Sequence, residues 1–197
     1  MALATEKLLQ NLLEITRENL NSVEQLKKQP LDSLNWKQDS ESWSALECIE
    51  HLNWYGDFYI PEITNKIKTS KYKHSEIFKS NWLGKYFSKS VSYNEDLNKM
   101  KTFKSMNPLN SKLDIQTLHK FINQQHQIIE LLDKSKKVNL DKTKTAISIS
   151  SLIKLRLGDT FRVVIYHNER HIKQAEKTVK LPEGNNVHNQ CYPPTSI

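Results

Sequence analysis

Residues 44–68 read Ser-Ala-Leu-Glu-Cys-Ile-Glu-His-Leu-Asn-Trp-Tyr-Gly-Asp-Phe-Tyr-Ile-Pro-Glu-Ile-Thr-Asn-Lys-Ile-Lys, and the architecture of the chain follows from their pattern. Ser44 followed three positions later by Glu47 forms a capping box, in which hydroxyl and carboxylate satisfy backbone amides that a helix start leaves without partners. From that start one helix face carries Leu46, Ile49, Asn53, Gly56, Ile60, Ile63 and Ile67, while Cys48, His51, Tyr55, Phe58 and Tyr59 occupy much of the opposite side. A helix apolar on both sides is buried on both, so this segment is expected to lie inside a helical assembly. Pro61 sits within it and is expected to kink it, because proline cannot donate to the carbonyl four residues back.

Three further helices are predicted around it. Leu8, Leu12, Ile15, Val23 and Leu26 mark one face of a first helix from Thr5 to Lys28, stopped by Pro30. Asp114 reads as the cap of a third, with Leu113 and Leu118 placed as a hydrophobic staple and a stripe running from Leu118 through Phe121, Gln125 and Ile128 to Leu132. The fourth begins near Gly158 and Asp159, where an acidic side chain suits the positive helix end, and ends at Pro182 and Gly184. The stretch from Ala146 to Leu157 alternates loosely and is either a short helix or an extended strap. Four helices of about 30 Å can bury their stripes only against one another, so the fold class is all-α, a four-helix bundle. About forty residues, Ser70 to Ser111, form a long crossover between helices two and three, which allows those two helices to run parallel.

Composition agrees with this. The chain has 197 residues and only four glycines, which excludes Gly-rich phosphate loops and leaves few positive-φ turns for β-hairpins. No stretch approaches the roughly 20 apolar residues of a membrane span, and the start of the chain lacks a signal-like apolar block. Cys48 and Cys191 are the two cysteines, too few and too far apart for a disulfide framework or a CxxC site, so a cytoplasmic setting is expected. The formal net charge of +7 resides in the crossover, where ten lysines from Lys66 to Lys104 face Glu76, Glu95 and Asp96. Trp82, Tyr86, Phe87 and Tyr93 are interleaved with them, a pattern that suits either stacking of nucleic-acid bases or a loop pinned to the bundle by its aromatics. The second reading is favoured, because nucleic-acid binders carry a more concentrated basic face, so neither nucleic acid nor membrane is an expected partner.

His167 and His171 are four apart on helix four and therefore project from one side, on the rim of its apolar stripe. Two imidazoles leaning into a core require hydrogen-bond partners or a metal. The segment is not the HExxH of zinc proteases: Asn168 follows the first histidine, and Glu169 is expected to face away. A catalytic metal site usually takes three protein ligands, and the candidates for the third are His51, His74, His119, His126 and His188. His51 alone is embedded in a buried-looking helix, two turns inside the Ser44 cap, but periodicity does not by itself bring it opposite His167.

Trp43-Ser44 through His51-Leu52, followed much later by His167-Asn168-Glu169-Arg170-His171 and Gln174, resembles the DinB-like superfamily of four-helix-bundle metalloproteins. Lys99-Met100-Lys101-Thr102, Asn107-Pro108 and Leu155-Arg156-Leu157-Gly158-Asp159 resemble further segments of those proteins. The resemblance implies an up-down-down-up bundle over residues 1–180, with 181–197 as a C-terminal tail, and one divalent metal held by His51, His167 and His171. It also implies zinc, nickel or iron as the metal, pairing as a homodimer, and kinship with enzymes that use low-molecular-weight thiols.

Three neutral imidazoles leave a cation its full double charge and an exchangeable position, where a thiol or water is acidified. Transfer of a small thiol to an electrophilic substrate is the leading expectation, and it needs no protein cysteine. A metal-dependent hydrolase using bound hydroxide is the alternative, and a non-catalytic, metal-stabilised binding or stress-response module is a reading of another class. Glu47 and Tyr55, each four residues from His51, and Gln174, three beyond His171, are placed to orient an imidazole or a bound ligand, although Glu47 also serves the cap.

Overall fold

The computed structural model describes residues 2–93 and 102–180. The predicted helix stop at Pro182 and Gly184, the tail 181–197 with His188 and Cys191, and Lys99-Met100-Lys101 lie outside the described residues. Six α-helices dominate: α1 (Thr5–Leu26), the short α2 (Leu31–Asn35), α3 (Ala45–Thr69), α4 (Trp82–Val91), α5 (Gln116–Ser135) and α6 (Leu157–Lys180). No helix among them is long and apolar enough to cross a membrane. The four long helices pack in pairs, α3 against α5 and α6, and α1 against the same two.

α3 begins as its sequence requires. Ser44 Oγ accepts from Glu47 N, and Glu47 Oε2 accepts from Ser44 N at 2.8 Å. The helix continues through Pro61, whose ring lies at an exposed position. Its first half, residues 45–53, is buried nearly all round, whereas in its second half Asp57, Pro61, Thr64 and Lys68 are exposed, and the two halves join different clusters. Tyr59, Ile60 and Ile63 join one apolar cluster with Leu8, Leu12 and Phe161, while Leu46, Ile49 and Leu52 join another with Trp43, Phe121 and Ile172.

The all-α expectation needs amending, because two small antiparallel sheets accompany the helices. β1 (Ala2–Ala4) pairs with β2 (Ile77–Lys79), and β3 (Lys144–Ile147) pairs with β4 (Ser150–Arg156). The stretch that was ambiguous between helix and strap is therefore part of a hairpin. Scarcity of glycine did not prevent it, because Ser148 and Ile149 turn the chain without positive φ, helped by an irregularity of register at Ala146 and Ile147. Alternation anchors β3, where Thr145 and Ile147 are buried and Lys144 is exposed.

The crossover is also more ordered than a loop. α4 lies along α6, and Asn81 Oδ1 caps it by accepting from Gly84 N at 2.8 Å. Leu83, Phe87 and Val91, spaced by four, face α6 and the β3–β4 hairpin, so only part of the aromatic set acts as pins. Trp82 and Tyr86 instead turn outward, 77% and 64% exposed.

Candidate metal centre

His51 comes from the second turn of α3, and His167 and His171 come from adjacent turns of α6. Their packing brings the three imidazoles together, with one ligating nitrogen of each within 4.8 Å of the others. The other histidines of the described residues, His74, His119 and His126, are exposed and take no part. Glu169 turns toward α1, where burial and the neighbouring Glu18 carboxylate raise its pKa, so the expectation that it faces away from the histidines holds.

Each ring is oriented by what its outer nitrogen meets. His51 Nδ1 lies 2.6 Å from the Met106 carbonyl oxygen, which can only accept, so Nδ1 carries the proton and Nε2 presents a lone pair. His171 Nδ1 likewise donates to Gln174 Oε1 at 3.0 Å. Gln174 is therefore in hydrogen-bond contact with an imidazole. His51 Nε2 and His167 Nε2 are 3.3 Å apart. Two nitrogens each about 2.0–2.1 Å from a tetrahedral zinc would be separated by about the same distance, so this pair has the spacing of two ligands of one divalent cation, and the donor chemistry, three imidazole nitrogens within 4.8 Å of one another, suits the same ion.

Burial keeps the three rings neutral, the state in which imidazole ligates. It pushes the His51 pKa down to about 4, against the opposing pull of the Met106 carbonyl. His167 and His171 are also lowered well below the ordinary value, first by burial and then by the charges of their neighbours, Arg170 among them. The Trp43 ring packs against His51 and His171, with centroids 4.9 and 5.7 Å away. Tyr55 packs against His51 and His167 at 4.9 and 4.7 Å, and burial raises its phenol to about 12.

Glu47 sits four residues before His51 but serves the frame. Besides its capping bond, Oε1 accepts from Asn110 N at 2.6 Å and Lys37 Nζ at 2.7 Å. The bond to Asn110 fastens the last part of the crossover to the start of α3. Asn110 occupies the left-handed region at φ 64°, which asparagine tolerates. Asn107 Oδ1 accepts from Trp43 Nε1 at 3.0 Å, and the same segment delivers the Met106 carbonyl to His51. The sequence reading missed this carbonyl, since a main-chain contact leaves no side-chain signature. Cys48 is buried in the core cluster with Trp43 and Leu46.

A cavity of about 200 Å3 leads to His167 between α3, α4, α6 and the β3–β4 hairpin. Tyr55, Phe87, Leu155 and Val163 line it, and among the described residues no Lys, Arg, Asp or Glu does. A roomier groove of about 720 Å3 between α3 and α5 has none of the three histidines in its lining.

Comparison with curated proteins and with solved structures returns no match. The family model of the DinB superfamily matches residues 12–175, a span that contains all three histidines and every long helix except the ends of α1 and α6. With most of its length matched, and a histidine cluster that could hold a metal ion joining two of its long helices, the chain belongs to the DinB superfamily.

Proposed function

We propose that His51, His167 and His171 hold one divalent metal ion, zinc or nickel before iron, and that the protein transfers a small thiol to an electrophilic substrate. The observation that carries this reading is the convergence of three neutral imidazoles, with no carboxylate or thiolate beside them among the described residues, at the end of an apolar cavity. A cation bound there would keep its full charge and lower the proton affinity of a thiol that joins it. The overall change is then balanced: the thiol loses its proton, a carbon–sulfur bond forms, and the leaving group departs with its electron pair and takes up a proton.

The chain's own residues supply the rest. Met106 and Gln174 hold two imidazoles with Nε2 turned inward, so little ordering remains when a cation binds. Tyr55 borders both the cavity and two of the rings, and its phenol stays protonated at neutral pH, available to donate a hydrogen bond to a leaving group. The apolar walls exclude water from the cavity side of the histidines and so disfavour hydrolysis relative to transfer.

The up-down-down-up bundle is part of the same proposal, and the register of contacts supports it. Asn53 reaches Thr117, and Asp57 meets Lys120 and Gln124, so numbers rise together on α3 and α5. Asn19 reaches Ile165 and Ser22 meets Glu176, giving the same sense for α1 and α6. His51 lies beside His171 and Tyr55 beside His167, the opposite sense for α3 and α6.

Elemental analysis of the purified protein beside His167→Ala tests the site, and a screen of small thiols with an electrophile tests the reaction. Near-stoichiometric metal that is lost in the variant, with turnover that requires thiol, is the expected result. Full metal retention in His167→Ala would overturn the site, and turnover with water alone would select hydrolysis.

A further inference from the structure

We propose that the cavity beside His167 binds an uncharged molecule built on a single aromatic ring, and that this is the class of electrophile the protein modifies. The second half rests on the thiol-transfer reading; the binding itself does not.

Size is the first argument. An apolar cavity of about 150 Å3 takes up benzene. At about 200 Å3 this one has room for a ring with a short substituent but not for a tripeptide-sized thiol. Such a thiol would have to approach the histidines by another route, leaving the cavity to the second reactant.

The chemistry of the walls is the second argument. Val91, Ile147, Leu155 and Val163 form one contiguous apolar cluster, and each of them lines the cavity. Tyr55 and Phe87 add ring surfaces suited to offset or edge contacts with an aromatic guest. The polar groups that the described residues bring to the lining are the hydroxyls of Tyr55, Tyr59, Tyr86, Ser90 and Ser148 and the His167 imidazole. A carboxylate or ammonium entering this space would surrender its hydration without finding a counter-charge among the described residues, which costs several kcal/mol.

The mouth agrees with the interior. Phe103 and Ile149 border the cavity and are 44% and 46% exposed, so an apolar rim stands open to solvent. The lysines of α4, Lys85 and Lys89, point to solvent and do not reach the lining. His167 is the only one of the three histidines at the inner end, which places a bound ring against that imidazole and Tyr55.

Fluorine NMR on the full chain tests this with three probes of matched size: 4-fluorobenzyl alcohol, 4-fluorobenzylammonium and 4-fluorobenzoate, each with protein as purified and after metal removal. The alcohol is expected to bind saturably and to be displaced by toluene, with both ions weaker by roughly tenfold or more. Ser90→Phe, which narrows the half-buried α4 wall, should weaken the alcohol by roughly fivefold or more, because added bulk competes for the same space. Val163→Ala, which widens it, should gain binding of fluoronaphthalene.

Equal binding of the three probes, or an alcohol affinity unchanged in both variants, would overturn the inference. So would a preference for the ammonium, which would make the aromatic lining a cation cage. Metal content measured on the same samples separates the two readings. Alcohol binding in a protein that holds no metal would sink the thiol-transfer reading and leave the cavity's preference standing. Stoichiometric metal with no preference for the neutral probe would sink this inference alone.

Discussion

At the level of single residues, Gln174 is the most informative side chain outside the histidines. Its Oε1 is the acceptor that holds His171 Nδ1–H, and without it the ring can turn over or present the wrong tautomer. Gln174→Leu is expected to weaken zinc binding about 10- to 100-fold in competition with a chelating dye, whereas Gln174→Glu, which still accepts, should retain it. An unchanged affinity in Gln174→Leu would reduce the contact to packing. The histidines also set an acid limit on the metal-stripped protein. His51 is held near 4 in the fold against 6.5 in an open chain, so between those values the unfolded state takes up a proton that the folded state refuses. Stability should therefore be full above about pH 6.5, fall as pH drops toward 4, and level off for this group below that. His167 and His171 are shifted in the same direction and steepen the fall. Urea midpoints between pH 8 and pH 5 measure it, and His51→Gln should flatten part of the slope. A profile that does not change over that range would contradict buried, neutral imidazoles.

At the level of elements, α4 shows how closely the crossover is fitted to α6. A Cβ at Gly84 would stand 2.0 Å from Asp159 Oδ2, and Asp159 is fully buried at the start of α6. Its other oxygen accepts from Ser80 Oγ at 2.6 Å and from Arg162 at 3.3 Å, so the carboxylate has little freedom to move aside. Oδ2 has no hydrogen-bond partner among the described residues, and the bare glycine backbone is what lets α4 approach it. Gly84→Ala should force the helices apart and destabilise the protein by about 1–3 kcal/mol in equilibrium unfolding. Because α4 carries Phe87 and Val91, the same substitution should loosen the cavity more than the histidine cluster, visible as weaker binding of a neutral aromatic probe at unchanged metal content. A stability equal to wild type would mean that Asp159 repositions freely. This fit had no trace in the sequence, where Gly84 was one small residue in a lysine-rich stretch. The start of α3 did have one, because a capping box is local chemistry: Ser44 and Glu47 need no distant partner to define where the helix begins.

At the level of the whole molecule, the same division between local and distant determinants separates what could be read from what could not. The i, i+4 spacing puts His167 and His171 on one side of α6, and the cap places His51 two turns into a helix apolar on both sides, so both halves of the site were legible. Their meeting depended on how α3 packs against α6, which periodicity does not encode; the resemblance to a family supplied it. The Met106 carbonyl, the hairpin wall and the outward turn of Trp82 were illegible for the same reason, since each is fixed by contacts across long stretches of chain. A cation bound by residues of α3 and α6 would cross-link two long helices that are separated by the whole crossover and α5, and it should therefore stabilise the entire fold rather than one loop. Zinc at about 100 times its dissociation constant adds about 2.7 kcal/mol to the folded state. For a chain of this size that corresponds to a rise in Tm of roughly 5–10 °C. His51→Ala and His167→Ala, which remove ligands from different helices, should each abolish the rise, while calcium, which prefers oxygen donors, should produce none in the wild type. A zinc-induced rise that survives both substitutions would place the stabilising ion elsewhere on the molecule and detach the histidine cluster from metal binding.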